Sequence, residues 1–158
     1  EAPNVSIKWF EDGVLNVSYN CIDRHLKKRA NQTAIIWEGD DPYYDRKITY
    51  RELYEHVCRF ANVLKRNGVA KGDRVVALLP NIPEAVIAFL AVNSIGAIWS
   101  CCSPDFGEAS VADRFRQIDP KVLIHVDGYT YNGKPFDKRA ALQALRLNMG
   151  LLGWEVLG

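Results

Sequence analysis

The sequence has no excess of one charge and no long apolar run. Its 20 lysines and arginines against 19 aspartates and glutamates give a formal charge of +1 over 158 residues. No overall field therefore attracts nucleic acid or an anionic membrane. The longest apolar stretches, such as 75–80 and 85–92, are much shorter than the roughly 18 residues that a membrane-spanning helix needs. We expect neither nucleic acid nor a membrane as a partner, and local groups must bind any anion.

Cysteine is scarce, and its spacing does not fit a metal site. The four cysteines are Cys21, Cys58, Cys101 and Cys102, whereas zinc sites use two pairs of ligands with short gaps within each pair. The chain also lacks a secretory signal and is long enough to bury a core without disulfides, so we expect reduced thiols and a cytoplasmic location. Because no initiator methionine is present, we expect the sequence to continue a longer one.

From residue 33 onwards, apolar runs alternate with amphipathic stretches. The strands are predicted at 33–37, 74–79, 97–101 and 121–126. The first of them and the run at 74–79 have the continuous apolar character of buried strands. Amphipathic helices are predicted between them. This order predicts an α/β fold with a doubly wound, mostly parallel sheet and helices on both faces.

The helix after residue 49 has the clearest local signals in the chain. Thr49 and Glu52 form a capping box, and Gly68 ends the helix. The apolar residues between them fall on one helical face: Leu53, Val57, Phe60, Ala61 and Leu64. We therefore predict a surface helix that packs one stripe against the sheet.

The two ends of the chain differ from the middle. Residues 1–32 are predicted to be an extended lead-in that is followed by a short helix from Asn20. Residues 148–158 are apolar and interrupted by glycine, and they have no place in the alternating pattern. We interpret them as an aberrant tail that follows a segment at 33–147, and a frameshift or another gene lesion would account for it.

In a doubly wound sheet, binding residues lie in the loops that follow the strands. The loop at 80–84 is interpreted as a turn whose geometry two prolines fix, and the first candidate binding loop contains Ser103, Pro104 and Asp105. Its small and polar residues allow the backbone to approach an anion closely, although the same composition is also common in ordinary turns. Cys101 and Cys102 precede it, but no sequence neighbour identifies a base for a thiol nucleophile.

The second loop contains Tyr131, Asn132, Gly133 and Lys134. The Gly-Lys pair resembles the end of a phosphate-binding loop only superficially, because Pro135 follows where that loop requires Ser or Thr. Lys134 is either a point charge for a phosphate or a solvated turn residue.

Taken together, these motifs resemble the N-terminal part of the acyl-CoA synthetases of the adenylate-forming superfamily. Residues 9–17 and 20–26 are similar to the N-terminal cap of the acetate-activating enzymes, and 33–40, 48–53 and 57–64 are similar to the start of their adenylation domain. Residues 96–107, 113–115 and 131–134 are more similar to the acetoacetate-activating enzymes. The resemblance implies a cap segment at 1–32 and the first part of an AMP-binding domain at 33–147.

The resemblance also implies a two-step reaction. A short carboxylic acid and ATP form an acyl-adenylate and pyrophosphate, and the thiol of CoA then displaces AMP, with Mg²⁺ as the accompanying metal. It places two turns on the CoA side: Ser103, Pro104 and Asp105, and Tyr131, Asn132, Gly133 and Lys134. Tyr131 occupies a position where these enzymes carry an arginine. No catalytic residue and no metal ligand is assigned in this chain.

Several motifs of the superfamily are missing from these 158 residues. They are the Ser/Thr/Gly-rich phosphate loop, the aromatic-Thr-Glu motif, the aspartate that binds ribose, and the C-terminal domain with its catalytic lysine. We therefore expect a fragment that is inactive alone, with an uncovered sheet edge that favours self-association. The alternative is a non-catalytic module that binds CoA or a nucleotide, or that depends on a partner chain.

Overall fold

The structure is a computed structural model that describes residues 7–149 and 152–155. Residues 1–6 of the predicted lead-in and residues 150, 151 and 156–158 of the predicted tail lie outside this range. The elements are, in chain order, a π-helical turn (Tyr19–Asp23), α1 (Arg24–Arg29), β1 (Thr33–Trp37), a 3-10 turn (Pro42–Tyr44), β2 (Arg46–Thr49), α2 (Tyr50–Arg66), β3 (Arg74–Leu78), α3 (Pro83–Ser94), β4 (Ile98–Cys102), α4 (Glu108–Arg116), β5 (Val122–His125), β6 (Gly128–Tyr131), β7 (Lys134–Asp137), α5 (Arg139–Met149) and β8 (Leu152–Glu155).

A parallel sheet with strand order β4-β3-β5-β8 lies at the centre of the fold. Because side chains alternate along a strand, Val75 and Ala77 of β3 belong to one apolar cluster, and Val76 and Leu78 belong to the other. Helices α2 and α3 pack in the first cluster, whereas α4 and α5 pack in the second. The predicted α/β architecture with helices on both faces of a parallel sheet is thus confirmed.

Strand β1 differs from its prediction in two ways. It pairs antiparallel with β2 in a separate two-stranded sheet, rather than with the parallel strands. It is also only half buried, since Ala34 and Ile35 pack on the first cluster while Ile36 is 65% exposed. The run at 33–37 is predicted to be a buried strand, but a two-stranded ribbon that lies on a core has only one covered face.

Strand β8 was not predicted. It lies beside β5 in parallel register, with Val122 opposite Leu152 and His125 opposite Glu155. The three glycines of residues 148–158 hide any alternating pattern in this stretch. Part of the segment predicted to be an aberrant tail therefore adds a strand to the described sheet.

Helix α2 begins with the predicted capping box. The amide of Glu52 donates to Thr49 Oγ1 at 3.3 Å, and the amide of Thr49 donates to Glu52 Oε2 at 2.8 Å. The hydrogen bonds from the backbone and the hydroxyl of Thr49 lower the pKa of the Glu52 carboxyl. The reciprocal bonds satisfy two amides that the helix itself leaves without acceptors.

We expect Thr49→Ala to lower the free energy of unfolding by about 1 kcal/mol, because the amide of Glu52 loses its acceptor. The measurement is urea unfolding followed by circular dichroism. Thr49→Ser keeps the hydroxyl and is expected to retain most of the stability. Equal losses in the two variants would show that the methyl group of Thr49, rather than the cap, is responsible.

None of the helices within the described part of the chain is long and apolar enough to cross a membrane.

Candidate functional site

The chain changes direction across the sheet between β3 and β5. From β3 it continues through α3 to β4 on one side, whereas from β5 it continues towards β8 on the other side. In open α/β sheets, ligands bind at the carboxyl ends of the strands beside such a switch point. The loops that begin at this edge are 79–82 after β3, 103–107 after β4, and the segment that follows β5.

The first predicted turn lies directly after β4. The Phe106 amide donates to the Ser103 carbonyl at 3.2 Å, which closes the turn before α4. Ser103 and Asp105 are exposed, whereas Pro104 is buried. The turn therefore presents one hydroxyl and one carboxylate to solvent and is fixed by its proline.

Cys102, at the end of β4, is held as a neutral thiol. Burial is the main cause that raises the pKa of Cys102, and the nearby Arg114 only partly opposes it. A nucleophilic cysteine needs the opposite shift. The guanidinium of Arg114 also lies 5.6 Å from the centre of the Phe106 ring, so it braces the turn from α4.

The second predicted turn is the tip of a β-hairpin formed by β6 and β7. Tyr131 and Lys134 are opposite each other, and Asn132 and Gly133 between them have φ angles of 51° and 71°. These angles are those of the two-residue turn that Asn-Gly favours between antiparallel strands. All four residues are exposed. The loop is therefore a regular hairpin, which the Asn-Gly pair between strand-forming residues would have indicated.

The first predicted turn directly follows β4 of the parallel sheet, whereas the second is the tip of the separate β6–β7 hairpin, and the structure does not join the two turns. Among residues 7–149 and 152–155, no hydrogen bond, ion pair or ring contact links Ser103–Asp105 to the hairpin tip. The tip instead contacts the connection between β1 and β2, because the Gly133 amide donates to Asp40 Oδ2 at 3.3 Å.

The β1–β2 sheet also contacts the loop after β3 and the first turn of α3. The indole N–H of Trp37 donates to the carbonyl of Asn81 at 2.6 Å, and Arg46 Nη1 pairs with Glu84 Oε1 at 2.6 Å. Through these contacts and the Asp40 bond, β1 and β2 connect the loop after β3 with the hairpin. Sequence reasoning missed these residues, because the paired groups are separated by about 38–93 positions and no local pattern marks them.

The base of the hairpin is tightly organised. The rings of Tyr129 and Phe136 stack at 5.2 Å with an interplanar angle of 15°. Asp137 accepts hydrogen bonds from the Arg139 guanidinium at 2.6–3.1 Å, and these lower the pKa of the Asp137 carboxyl to about 2. A surface recess of about 400 Å³ runs along both strands.

Of the two turns, only the hairpin tip carries a positive charge that could attract an anion. Lys134 provides an exposed ammonium at the hairpin tip, and no ion pair occupies it among the described residues. Within the same residues, no three His, Cys, Asp or Glu side chains are grouped so that they could hold a metal ion.

Comparisons with known proteins agree with this architecture. The AMP-binding enzyme family matches residues 22–151 of the chain. An acetyl-coenzyme A synthetase of Bradyrhizobium diazoefficiens is 53% identical over 154 residues, covering 98% of this chain and 24% of that protein. An acetyl-coenzyme A synthetase of Brucella anthropi is 58% identical over 132 residues, covering 84% of this chain and 20% of that protein.

A solved structure has the same fold. The acetoacetyl-CoA synthetase of Streptomyces lividans superposes with a TM-score of 0.87 at 38% identity, over 96% of this chain and 24% of that one. The chain thus spans about a quarter or less of the length of these relatives. Since the family pattern covers most of the chain and the fold agrees with a solved relative, the chain belongs to the AMP-binding enzyme family.

Proposed function

We propose that the chain is part of an AMP-forming acid–CoA ligase that converts acetate, ATP and CoA into acetyl-CoA, AMP and pyrophosphate. The observation that carries this proposal is the 53% identity to an acetyl-coenzyme A synthetase over 98% of the chain. The identity to the acetoacetyl-CoA synthetase is lower, at 38%. Acetate is therefore the proposed acid, and acetoacetate is the alternative.

The proposed roles follow the two turns. Ser103, Pro104 and Asp105 form one turn on the CoA side, and Tyr131 to Lys134 form the other. The ammonium of Lys134 supplies a positive charge for a phosphate of CoA, and its exposure makes it accessible. Mg²⁺ accompanies ATP in this proposal, but no described residue is assigned to it and no step here depends on it.

The proposed domain organisation has a cap segment at 1–32 and the first part of the adenylation domain at 33–147. Because β8 pairs with β5 in the parallel sheet, we include Leu152–Glu155 in the same domain. We propose a cytoplasmic location and small-molecule partners, namely the acid, ATP and CoA.

Self-association through a sheet edge is also proposed. Strand β4 has a neighbour on only one side in the described sheet, and Ile98 on it is 51% exposed. An edge strand with exposed apolar side chains can pair with another chain. Sedimentation velocity of the 158-residue chain is expected to show dimers or larger species, and a single monomeric boundary would contradict this.

The proposed reaction is tested by pyrophosphate release with ATP and acetate, and then with acetoacetate. The 158-residue chain alone is expected to release none, because the superfamily's phosphate loop and catalytic lysine are missing from it. A chimera in which it replaces the matching quarter of the B. diazoefficiens acetyl-coenzyme A synthetase is expected to form acetyl-CoA.

The unaltered B. diazoefficiens enzyme serves as the control for the chimera. A folded chimera that forms no acetyl-CoA would count against the proposal. Robust release by the 158-residue chain alone would show that these residues contain a complete ATP site and would overturn the expected inactivity.

A further inference from the structure

The turn between β4 and α4 has few bonds of its own. The Phe106 amide donates to the Ser103 carbonyl at 3.2 Å. In the part of the chain that the structure describes, no side chain of this turn forms a hydrogen bond or an ion pair. Gly107, at the N-cap of α4, also has no side chain that could cap the helix. The positions of the Ser103 hydroxyl and the Asp105 carboxylate therefore depend on other contacts of the turn.

Arg114 supplies such a contact from the second turn of α4. Side chains on a helix lean towards its N-terminus, so Arg114 extends back to the turn. The centre of its guanidinium is 5.6 Å from the centre of the Phe106 ring, which is the range of a cation–π interaction. It is also near the Cys102 thiol, because it partly opposes the rise that burial causes in the pKa of that group. Arg114 therefore lies beside the residue that precedes Ser103 and the residue that follows Asp105.

The guanidinium of Arg114 has no competing carboxylate among the described residues, since none of their ion pairs includes it. The ring of Phe106 is 43% exposed, so the contact holds this side chain at the surface without burying it. Ser103 and Asp105 are also exposed. Arg114 thus steadies the turn from one side and leaves its hydroxyl and carboxylate accessible.

We propose that Arg114 is a positioning residue for the step in which CoA displaces AMP, because it fixes the turn that carries Ser103 and Asp105. This inference rests on the proposed function, which places the turn on the CoA side. Arg114 acts through Phe106 and the end of β4, and it touches no substrate itself. Because the turn serves the second step, formation of the acyl-adenylate is independent of Arg114.

Steady-state kinetics of the chimera test this role. Arg114→Ala is expected to raise the KM for CoA about three- to fivefold, which is the loss of one exposed cation–π contact, and to leave kcat and the KM for ATP unchanged. The acetate-dependent exchange of pyrophosphate into ATP needs no CoA and is also expected to be unchanged. Arg114→Lys keeps a cation near the ring and is expected to restore most of the CoA affinity. Arg116→Ala removes an exposed arginine from the same helix and is the control.

A double-mutant cycle tests whether Arg114 acts through the ring. Phe106→Leu keeps an apolar side chain but removes the ring, and it is expected to raise the KM for CoA as much as Arg114→Ala does. The double variant is expected to be no worse than either single variant, because both substitutions remove the same contact.

Hydrogen exchange in the 158-residue chain measures the turn without any substrate. The Phe106 amide is bonded to the Ser103 carbonyl, so its exchange rate reports whether the turn is closed. This amide is expected to exchange faster in Arg114→Ala than in Arg114→Lys, whereas the amides of β3 keep their protection.

Several results would overturn the inference. They are an unchanged KM for CoA in Arg114→Ala, an equal rise in the KM for ATP, no recovery in Arg114→Lys, additive losses in the double variant, and unaltered exchange of the Phe106 amide. The chimera separates this inference from the proposed function. If the chimera forms acetyl-CoA and Arg114→Ala leaves its KM for CoA unchanged, the inference fails and the function stands. If the chimera is inactive while exchange of the Phe106 amide depends on Arg114, the function fails and the positioning contact stands.

Discussion

Phe115→Ala is expected to lower the free energy of unfolding by about 3–5 kcal/mol, which is among the largest effects that a single core substitution produces. Phe115 on α4 is completely buried, and it packs in the second apolar cluster with Val76, Leu123 and Leu142. Removal of its ring leaves a cavity between the helices and the sheet. Urea unfolding measures the loss as a lower midpoint at an unchanged slope.

The matched control is Phe10→Ala, which makes the same chemical change at a residue that is 85% exposed. It is expected to alter the free energy of unfolding by less than about 0.5 kcal/mol. A loss below about 1 kcal/mol in Phe115→Ala would mean that the second cluster closes around the missing ring, contrary to the tight packing expected of a protein core.

Gly128→Ala is expected to open the hairpin at its base. A Cβ at this position would lie 2.6 Å from the carbonyl oxygen of Phe136, which is backbone and cannot move away alone. Gly128 is paired with Asp137, so the strands must separate there, and the stack of Tyr129 on Phe136 is disturbed. We expect a cost of about 1–3 kcal/mol for the overpacked site.

Amide hydrogen exchange measures this effect where it occurs, because a hairpin can open without global unfolding. The amides of 128–137 are expected to lose protection, whereas those of β3 keep it. Gly107→Ala is the control, since a Cβ there meets nothing within 4 Å and its φ of −63° suits any residue. Full protection of the hairpin in Gly128→Ala would contradict the expected strand separation.

The elements that could be predicted from the sequence are those fixed by local signals. Thr49 and Glu52 define the start of α2, and the stripe from Leu53 to Leu64 defines the face that it buries. Likewise, Val75 to Leu78 form a continuous apolar run because both faces of β3 are covered by helices. In both places, the tertiary environment agrees with what the neighbouring residues favour.

The elements that could not be predicted depend on long-range pairing. Strand β2 contains Arg46 and Lys47, and it is a strand because β1 lies beside it. Strand β8 is similar, since its glycine-interrupted sequence becomes extended against β5. Whether a segment forms a strand depends largely on the strands beside it. The local sequence of such a segment therefore indicates little about its structure.

The candidate site shows the same division. The position of Ser103 to Asp105 after a strand could be predicted, as could the exposure of Lys134. The pairing of Tyr131 with Lys134 depends on the strand register, and the two residues are placed opposite each other only once the Asn-Gly turn is recognised as a hairpin. The contact from Asp40 arises from the fold and has no local signature.

The strand order also has a consequence for synthesis on the ribosome. Strand β3 is the first of the parallel strands to emerge, yet both of its partners, β4 and β5, follow it in the chain. One side of β5 stays unpaired until Leu152–Glu155 has been synthesised. The sheet therefore grows outward from β3 in both directions. On the side away from β4, the unpaired edge belongs first to β3 and, once β5 has paired, to β5. Nascent chains that end before Leu152 are expected to expose that edge and to need protection by chaperones.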